Sequence, residues 1–262
     1  MMLMEYPEKE ICDVIFLSKT SNKDVFDMTQ KAINSLHDSE TNNKFRVIVV
    51  ESNLDQNTPQ YENVSLCLNY GDQDFSYNKA LNLAFNYIES DYVAVFNNDV
   101  LFMENWYSII RYYMDVFCLD CASPRCPVVQ NGIKPEAQSE ILSFPEGCVV
   151  PGFRTVVHFC GWGWITKRDC LQNLIQLDAF PEDLTFWFQD DHIARVMQSN
   201  HKKHGLVTSS HVIHFGQQSY KLIPQNQFND MTSGLYELFV KKWIQKNEHS
   251  IRKLPTRRCR VI

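Results

Sequence analysis

Asp99 closes the run Asp91-Tyr92-Val93-Ala94-Val95-Phe96-Asn97-Asn98-Asp99-Val100, in which five apolar or aromatic residues lead straight into a polar cluster. Such a run, rich in β-branched and aromatic types, predicts a strand covered on both faces. Open α/β sheets bind ligands just past the carboxyl ends of such strands, which makes Asp99 a candidate ligand for a divalent metal. Other polar clusters share that address: Ser18-Lys19-Thr20, Glu51-Ser52-Asn53 and His214 each follow an apolar run. Asn, Asp and Ser also end strands in ordinary turns, and any one cluster taken alone fits that simpler role. Together they point to one crevice that needs a ligand or solvent to satisfy it.

The elements that must position these residues alternate along the chain. Residues 12–17 predict a first buried strand and 24–36 a helix, with Val25, Met28, Ala32, Ile33 and Leu36 at helical spacing. Strands follow at 45–50 and 64–68, then a polar, glycine-containing loop through Asp74. Residues 77–88 predict a helix whose face carries Ala80, Leu81, Ala84, Phe85 and Ile88, ahead of the strand at 91–96. This β-α-β-β-α-β order implies an α/β domain with a mainly parallel sheet flanked by helices. The G-x-G-x-x-G fingerprint is missing after the first strand, which disfavours a dinucleotide site.

Further on, 104–117 and 167–177 predict helices, while 124–151 reads as irregular with short strands. Phe186-Trp187-Phe188-Gln189-Asp190-Asp191 leads into a helix through Met197, and short strands are expected at 205–207 and 211–213. A last helix at 234–245 places Leu235, Phe239 and Trp243 on one face, with Leu238 nearby. Residues 1–230 thus form one domain, with the C-terminal helix and basic tail of 231–262 packed on it. Residues 118–159 carry no motif and are a candidate for acceptor specificity.

The chain has 262 residues, a net charge of −6 and a pI near 5.7, which argues against a broad nucleic-acid surface. No apolar run suggests a membrane span, and Met1-Met2-Leu3-Met4 followed by acidic residues does not resemble a signal peptide. Nine scattered cysteines suit free thiols in a reducing compartment, so a cytoplasmic location is expected, peripheral to a membrane if the basic tail binds one. Cys118, Cys121 and Cys126 lie close together, but a fourth zinc ligand at the usual spacing is missing.

From residue 12 to 219 the ordered pieces resemble the glycosyltransferases of the nucleotide-sugar-binding GT-A fold, particularly the family-two group with its rhamnosyltransferase-like enzymes. The pieces are the strand ending at Glu51, Tyr77-Asn78-Lys79-Ala80-Leu81-Asn82, Val95-Phe96-Asn97-Asn98-Asp99-Val100, Gly161-Trp162-Gly163, Trp187-Phe188-Gln189-Asp190-Asp191 and Val212-Ile213-His214. The resemblance implies an inverting, metal-dependent transfer of a sugar from a UDP-, GDP- or dTDP-sugar to a hydroxyl of a glycan or glycoconjugate.

It gives Asp99 the metal-holding place of the family's D-x-D motif, with Asn97 where the first acid is usual, and makes His214 a second ligand for Mn2+ or Mg2+. A divalent ion there neutralises the departing diphosphate. The resemblance aims Glu51 at the nucleoside, although the family more often has Asp, and brings Ser18, Thr20, Asn78, Asn82, Asn97 and Asn98 to the nucleotide sugar. Asn78 and Asn82 lie one helical turn apart, a spacing equally suited to a solvated face.

Asp190 and Asp191 are implied to include the general base that deprotonates the acceptor, with Gln189-Asp190 where Glu-Asp is usual. A shifted register makes Asp191 the base, and either residue is also a candidate helix cap. Trp162, flanked by glycines, is implied to face the acceptor with Gly161 and Trp187, and Trp164 is a lesser candidate. A nucleotidyltransferase remains an alternative, weakened by the absence of glycine in Ser18-Lys19-Thr20-Ser21-Asn22. So does a non-catalytic carbohydrate- or nucleotide-binding relative.

Overall fold

Alternation along the first strand builds two cores at once. In β1 (Ile11–Ser18), Cys12, Val14 and Phe16 enter one core, Ile15 and Leu17 the other, and all five are buried. In β2 (Lys44–Glu51) and β4 (Tyr92–Asn97), Val47, Val49, Ala94 and Phe96 join the first core, and Ile48, Val50, Val93 and Val95 the second. A strand covered on both faces takes apolar residues at nearly every position, so these runs are close to continuous, with Asp13 the buried exception in β1. Helices α1 (Lys23–Asp38) and α3 (Trp106–Val116) close the first core through Ile33, Leu36, Trp106 and Ile110. Helices α2 (Tyr77–Phe85), α5 (Arg168–Gln176) and α6 (Gln189–Ser199) close the second through Leu81, Ala84, Leu174 and Ile193.

The computed structural model describes residues 11–41, 44–52, 59–71, 76–130, 133–185, 187–216 and 225–246. Residues 1–10, Asn53, Asp74, Phe186, Ser219 and the basic tail 252–260, all of which entered the sequence reading, lie outside the described residues. Among the described residues no helix is long and apolar enough to cross a membrane.

The remaining strands are β3 (Leu66–Asn69), β5 (Val100–Phe102), β6 (Cys121–Arg125), β7 (Val149–Pro151), β8 (Gly163–Lys167) and β9 (His204–His214). Their order is β3-β2-β1-β4-β8-β6-β9-β5, with β7 also paired to β9. The expected α/β sheet flanked by helices is present, and β1 to β4 pair in parallel throughout. The other half is mixed, because β8 runs antiparallel to both β4 and β6, while β6 and β9 are parallel. Register sets Ser18 opposite Glu51 and Leu17 opposite Asn97, so the polar strand ends meet at one edge.

Several boundaries differ from the sequence expectation for identifiable reasons. β8 has no counterpart among the expected strands, and it opens at Gly163. That glycine sits opposite Phe96, and a Cβ on it would stand 2.6 Å from the phenyl ring. Only glycine lets the two strands pair there. The two short strands expected at 205–207 and 211–213 are one strand, β9, interrupted by an irregularity where Pro124 pairs with Val207 but Arg125 with His211. Helix α2 stops at Phe85 rather than 88, because the Asn86 amide donates to the Asn82 carbonyl at 3.0 Å. Helix α4 (Pro135–Ser143), started by its proline, was not expected in the 124–151 stretch.

Helix α7 (Gln225–Lys246) begins before 234, and Gly234 lies within it despite glycine's poor helix propensity. It packs Tyr236 and Phe239 on the Phe188 ring, each at 5.5 Å, and Lys242 pairs with Asp183 at 2.8 Å. Helix α3 has no side-chain cap of its own. Glu40 supplies one, accepting from the Tyr107 and Ser108 amides at 2.8 and 2.9 Å and from the Ser108 hydroxyl at 2.7 Å. Cys118 is exposed, while Cys121 and Cys126 are buried in cores on opposite faces of the sheet, so the three do not converge.

Candidate active site

The turn between β4 and β5 carries Asp99, and the end of β9 carries His214. Val100 pairs with His214 in the β5–β9 ladder, and the Phe215 amide donates to the Asp99 carbonyl at 3.0 Å. The backbone therefore delivers the two side chains together, with Nε2 of His214 3.3 Å from Oδ1 of Asp99. Both are largely buried. The other imidazole nitrogen, Nδ1, lies 3.0 Å from Oε1 of Gln130. An amide oxygen only accepts, so Nδ1 carries a hydrogen, and in the neutral imidazole this leaves the Nε2 lone pair facing the carboxylate. In that form two electron-rich atoms at this separation fit neighbouring positions on one cation set off the line between them. Among the described residues no third His, Cys, Asp or Glu joins them, so further ligands would have to come from substrate and water.

Beside this pair, Glu51 is fully buried at the end of β2. Its carboxylate accepts from the Thr20 amide (3.0 Å), the Thr20 hydroxyl (2.7 Å) and the Tyr61 hydroxyl (2.5 Å). The Tyr61 ring stacks on Phe26, with centroids 4.9 Å apart. Burial and the Glu51 charge push the Tyr61 phenol upward, so it stays a donor. Ser18 is buried within hydrogen-bond reach of Thr20 and Thr29, and the Asn98 amide donates to Ser18 at 3.2 Å and Thr29 at 2.9 Å. In this state Ser18, Thr20, Glu51 and Asn98 satisfy one another.

The third group lies at the start of α6. Asp190 occupies the second turn-forming position of the helix, with its Oδ1 accepting the Asp191 amide at 2.9 Å. Neither aspartate is the cap: that place belongs to Phe188, held at φ 65°. Burial, and then the charge of Asp191, push the Asp190 carboxyl up to about 7. Asp191 is also raised by burial, but the Thr155 hydroxyl donates to it at 2.8 Å and Arg195 faces it, both favouring its ionised form. The two carboxylates therefore differ: Asp191 is held by neighbours and Asp190 is poised to exchange a proton. Val156, beside Thr155, also has a positive φ of 71°. Such conformations cost on the order of 1–3 kcal/mol each for a bulky residue and collect at sites of function.

Two adjacent residues join these groups. Trp162 stacks on the His214 imidazole, centroids 4.9 Å apart and planes 9° from parallel. Gly161 packs on Asp190 so closely that a Cβ would meet the aspartate's Cβ at 2.8 Å. The Gly161 carbonyl accepts from the Tyr77 hydroxyl at 2.9 Å, and the Trp162 carbonyl from the Asn97 amide at 2.9 Å.

Some expected contacts are redirected. Asn78 is fully buried and its amide donates to the Pro181 and Leu184 carbonyls at 2.8 and 3.3 Å, which turns it away from any nucleotide. Asn82 donates to the Phe180 carbonyl at 3.1 Å and to Glu182 at 3.3 Å. Both asparagines tie down the loop that leads into Trp187 and Asp190. Asn98 points inward, as described, whereas Asn97 is half-buried at the strand end. Trp162 is 8% exposed with one face on His214, so it is not an open sugar platform. Trp164 is core, its indole N–H on the Tyr77 hydroxyl at 3.2 Å, and Trp187 is half-buried. Tyr61, Tyr77, Gln130 and Thr155 were not expected here. Tyr77, which opens the Tyr77–Asn82 segment, had a signal; the others had none.

A family model described as "Glycosyl transferase family 2" matches residues 19–175. Among the curated proteins, no sequence matches the chain. The fold is similar to a crystal structure of S. aureus TarS 1-349 (TM-score 0.56, 14% identity, 78% of this chain and 60% of that one). It is also similar to the same TarS piece in complex with UDP-GlcNAc (TM-score 0.57, 16% identity, 79% and 59%). A third resembling structure is GalNAc-T7 with UDP, GalNAc and Mn2+ (TM-score 0.60, 10% identity, 81% and 45%). The chain thus spans less than two thirds of each of these structures, whose identities are low enough that they speak to fold alone. With the family match covering more than half of its length, the chain, folded as a GT-A domain, belongs to glycosyl transferase family 2.

Proposed function

We propose that the protein is an inverting, metal-dependent glycosyltransferase that moves a sugar from a nucleotide diphosphate to an acceptor hydroxyl of a glycan or glycoconjugate. The observation that carries this reading is the Gly161-Trp162 pair, which lies against Asp190 with one residue and against His214 with the next. It couples a proton-accepting carboxylate to a cation-binding pair through rigid backbone. A UDP-sugar is the favoured donor, because the TarS and GalNAc-T7 structures were solved with UDP-GlcNAc and with UDP.

Asp99 and His214 would hold Mn2+ or Mg2+, which as a Lewis acid stabilises the charge of a departing diphosphate. Asp190, with its raised carboxyl, takes the acceptor proton as the hydroxyl attacks the anomeric carbon. Asp191, already fixed by Thr155, orients acceptor hydroxyls. Glu51 and its Thr20 and Tyr61 donors form the nucleoside end.

The test is hydrolysis or transfer of UDP-sugars with Mn2+ present, together with UDP binding. Asp99→Ala should lose activity and Mn2+-dependent UDP binding. Asp190→Asn should lose transfer while keeping that binding. Chelation with EDTA should abolish turnover reversibly. Full activity in Asp99→Ala would defeat the metal reading, and retained transfer in Asp190→Asn would defeat the base assignment.

A further inference from the structure

Residues 118–159 have no motif, yet one of their side chains reaches the imidazole ring of His214. Gln130 is 3% exposed, and its Oε1 faces Nδ1 of His214 at 3.0 Å. Gln138, on α4 and 5% exposed, holds Gln130 from behind: its Oε1 accepts the Gln130 backbone amide at 3.1 Å, and its Nε2 donates to the Val128 carbonyl at 3.2 Å. Trp162 fixes the plane of the imidazole by stacking, and Cys126 Sγ accepts the His214 backbone amide at 3.4 Å. Every freedom of the ring except the location of its proton is thereby set by packing. Gln130 is the side chain that addresses the proton.

We propose that Gln130 is a positioning residue that locks His214 in the Nδ1–H tautomer and so presents the Nε2 lone pair beside Asp99 Oδ1, ready for a divalent cation. This rests on the reading of Asp99 and His214 as metal ligands. A neutral imidazole has one donor and one acceptor nitrogen, and the partner of one decides the role of the other. With an amide oxygen on Nδ1, Nε2 is free to ligate. Without it, the favourable arrangement reverses: Nε2–H donates to Asp99, and a cation must first displace that proton. Outer partners of this kind typically change metal affinity by about 10–100-fold. The buried Gln138 clamp supplies the reason an otherwise motif-free helix lies where it does.

The test uses the full chain labelled with 15N, and begins without metal at alkaline pH, where imidazoles are neutral. Long-range 1H–15N spectra, with His214 assigned by its loss in His214→Ala, report the tautomer directly. Wild type should show Nδ1–H. Gln130→Leu should shift toward Nε2–H and weaken Mn2+ binding in the presence of UDP about 10–100-fold, read from the free Mn2+ EPR signal. Gln130→Glu, which still only accepts at Nδ1, should restore the tautomer and most of the affinity. Should Gln130→Leu fail to fold, Gln138→Leu releases the clamp and should give a smaller loss of the same kind. An Nε2–H tautomer in wild type, or wild-type Mn2+ affinity in Gln130→Leu while His214→Ala loses it, overturns the proposal. Wild-type Mn2+–UDP affinity in His214→Ala would instead bring down the ligand assignment on which it rests.

Discussion

Gly161 and Asp190 touch as closely as a glycine permits: a Cβ on Gly161 would stand 2.8 Å from the aspartate's Cβ and 3.0 Å from its Oδ2. No rotation of the aspartate relieves a clash at Cβ, so Gly161→Ala must move the start of α6 or the strand-end segment. Near-ångström displacement of a reacting group costs about 100-fold in rate. Gly161→Ala should therefore lower kcat by about that factor while leaving UDP affinity within a few-fold of wild type, measured by steady-state kinetics and calorimetry.

The raised Asp190 carboxyl predicts a pH profile. A base must be ionised, so kcat should climb with pH and level off above about 7. The Asp191 charge is one cause of the elevation, and removing it in Asp191→Asn should move the rising limb to lower pH, whatever its effect on acceptor affinity. A limb that stays in place or moves upward would contradict the coupling.

The same carboxyl affects stability. Its ordinary value is 3.8 and its folded value about 7, so between these the folded state binds more protons than the unfolded chain. Stability is then lost as pH rises through that window. Asp190→Asn removes the buried charge, and its melting temperature should exceed that of wild type at pH 8 by a few degrees, the difference vanishing below about pH 4. Thermal unfolding at the two pH values measures it.

Glu40 offers a prediction about stability. It caps α3 from the end of α1, accepting two amides and a hydroxyl while 7% exposed. Glu40→Ala removes these three bonds from the start of α3 and should cost about 2 kcal/mol in urea unfolding. UDP binding should be unchanged, since Glu40 precedes the start of β2 while Glu51 stands at that strand's other end.

Signals carried by continuous apolar runs were the legible ones. The buried strands around Val14, Val47 and Val95, and the polar residues that end them, announce both the α/β layers and the address of Asp99, because backbone period and burial act locally. What stayed hidden depended on partners distant in the chain. β8 is a strand only because Gly163 finds Phe96 across from it, and α4 matters only because Gln138 holds a loop against His214. Asn78 and Asn82 show the same dependence in reverse. An asparagine near a helix start is equally suited to a ligand and to a loop carbonyl, and Pro181, Leu184 and Phe180 claimed these two.

Asp99 and His214 are 115 positions apart in the chain, counted as 214 − 99, but they flank a single rung of the β5–β9 ladder. Parting them would unzip that ladder, together with the amide bond from Phe215 to the Asp99 carbonyl. The spacing of the two side chains is therefore as fixed as the sheet itself. Thr20 and Tyr61, by contrast, reach Glu51 through side-chain bonds that can be exchanged one at a time without disturbing the sheet, so what freedom these strand ends have lies on that side.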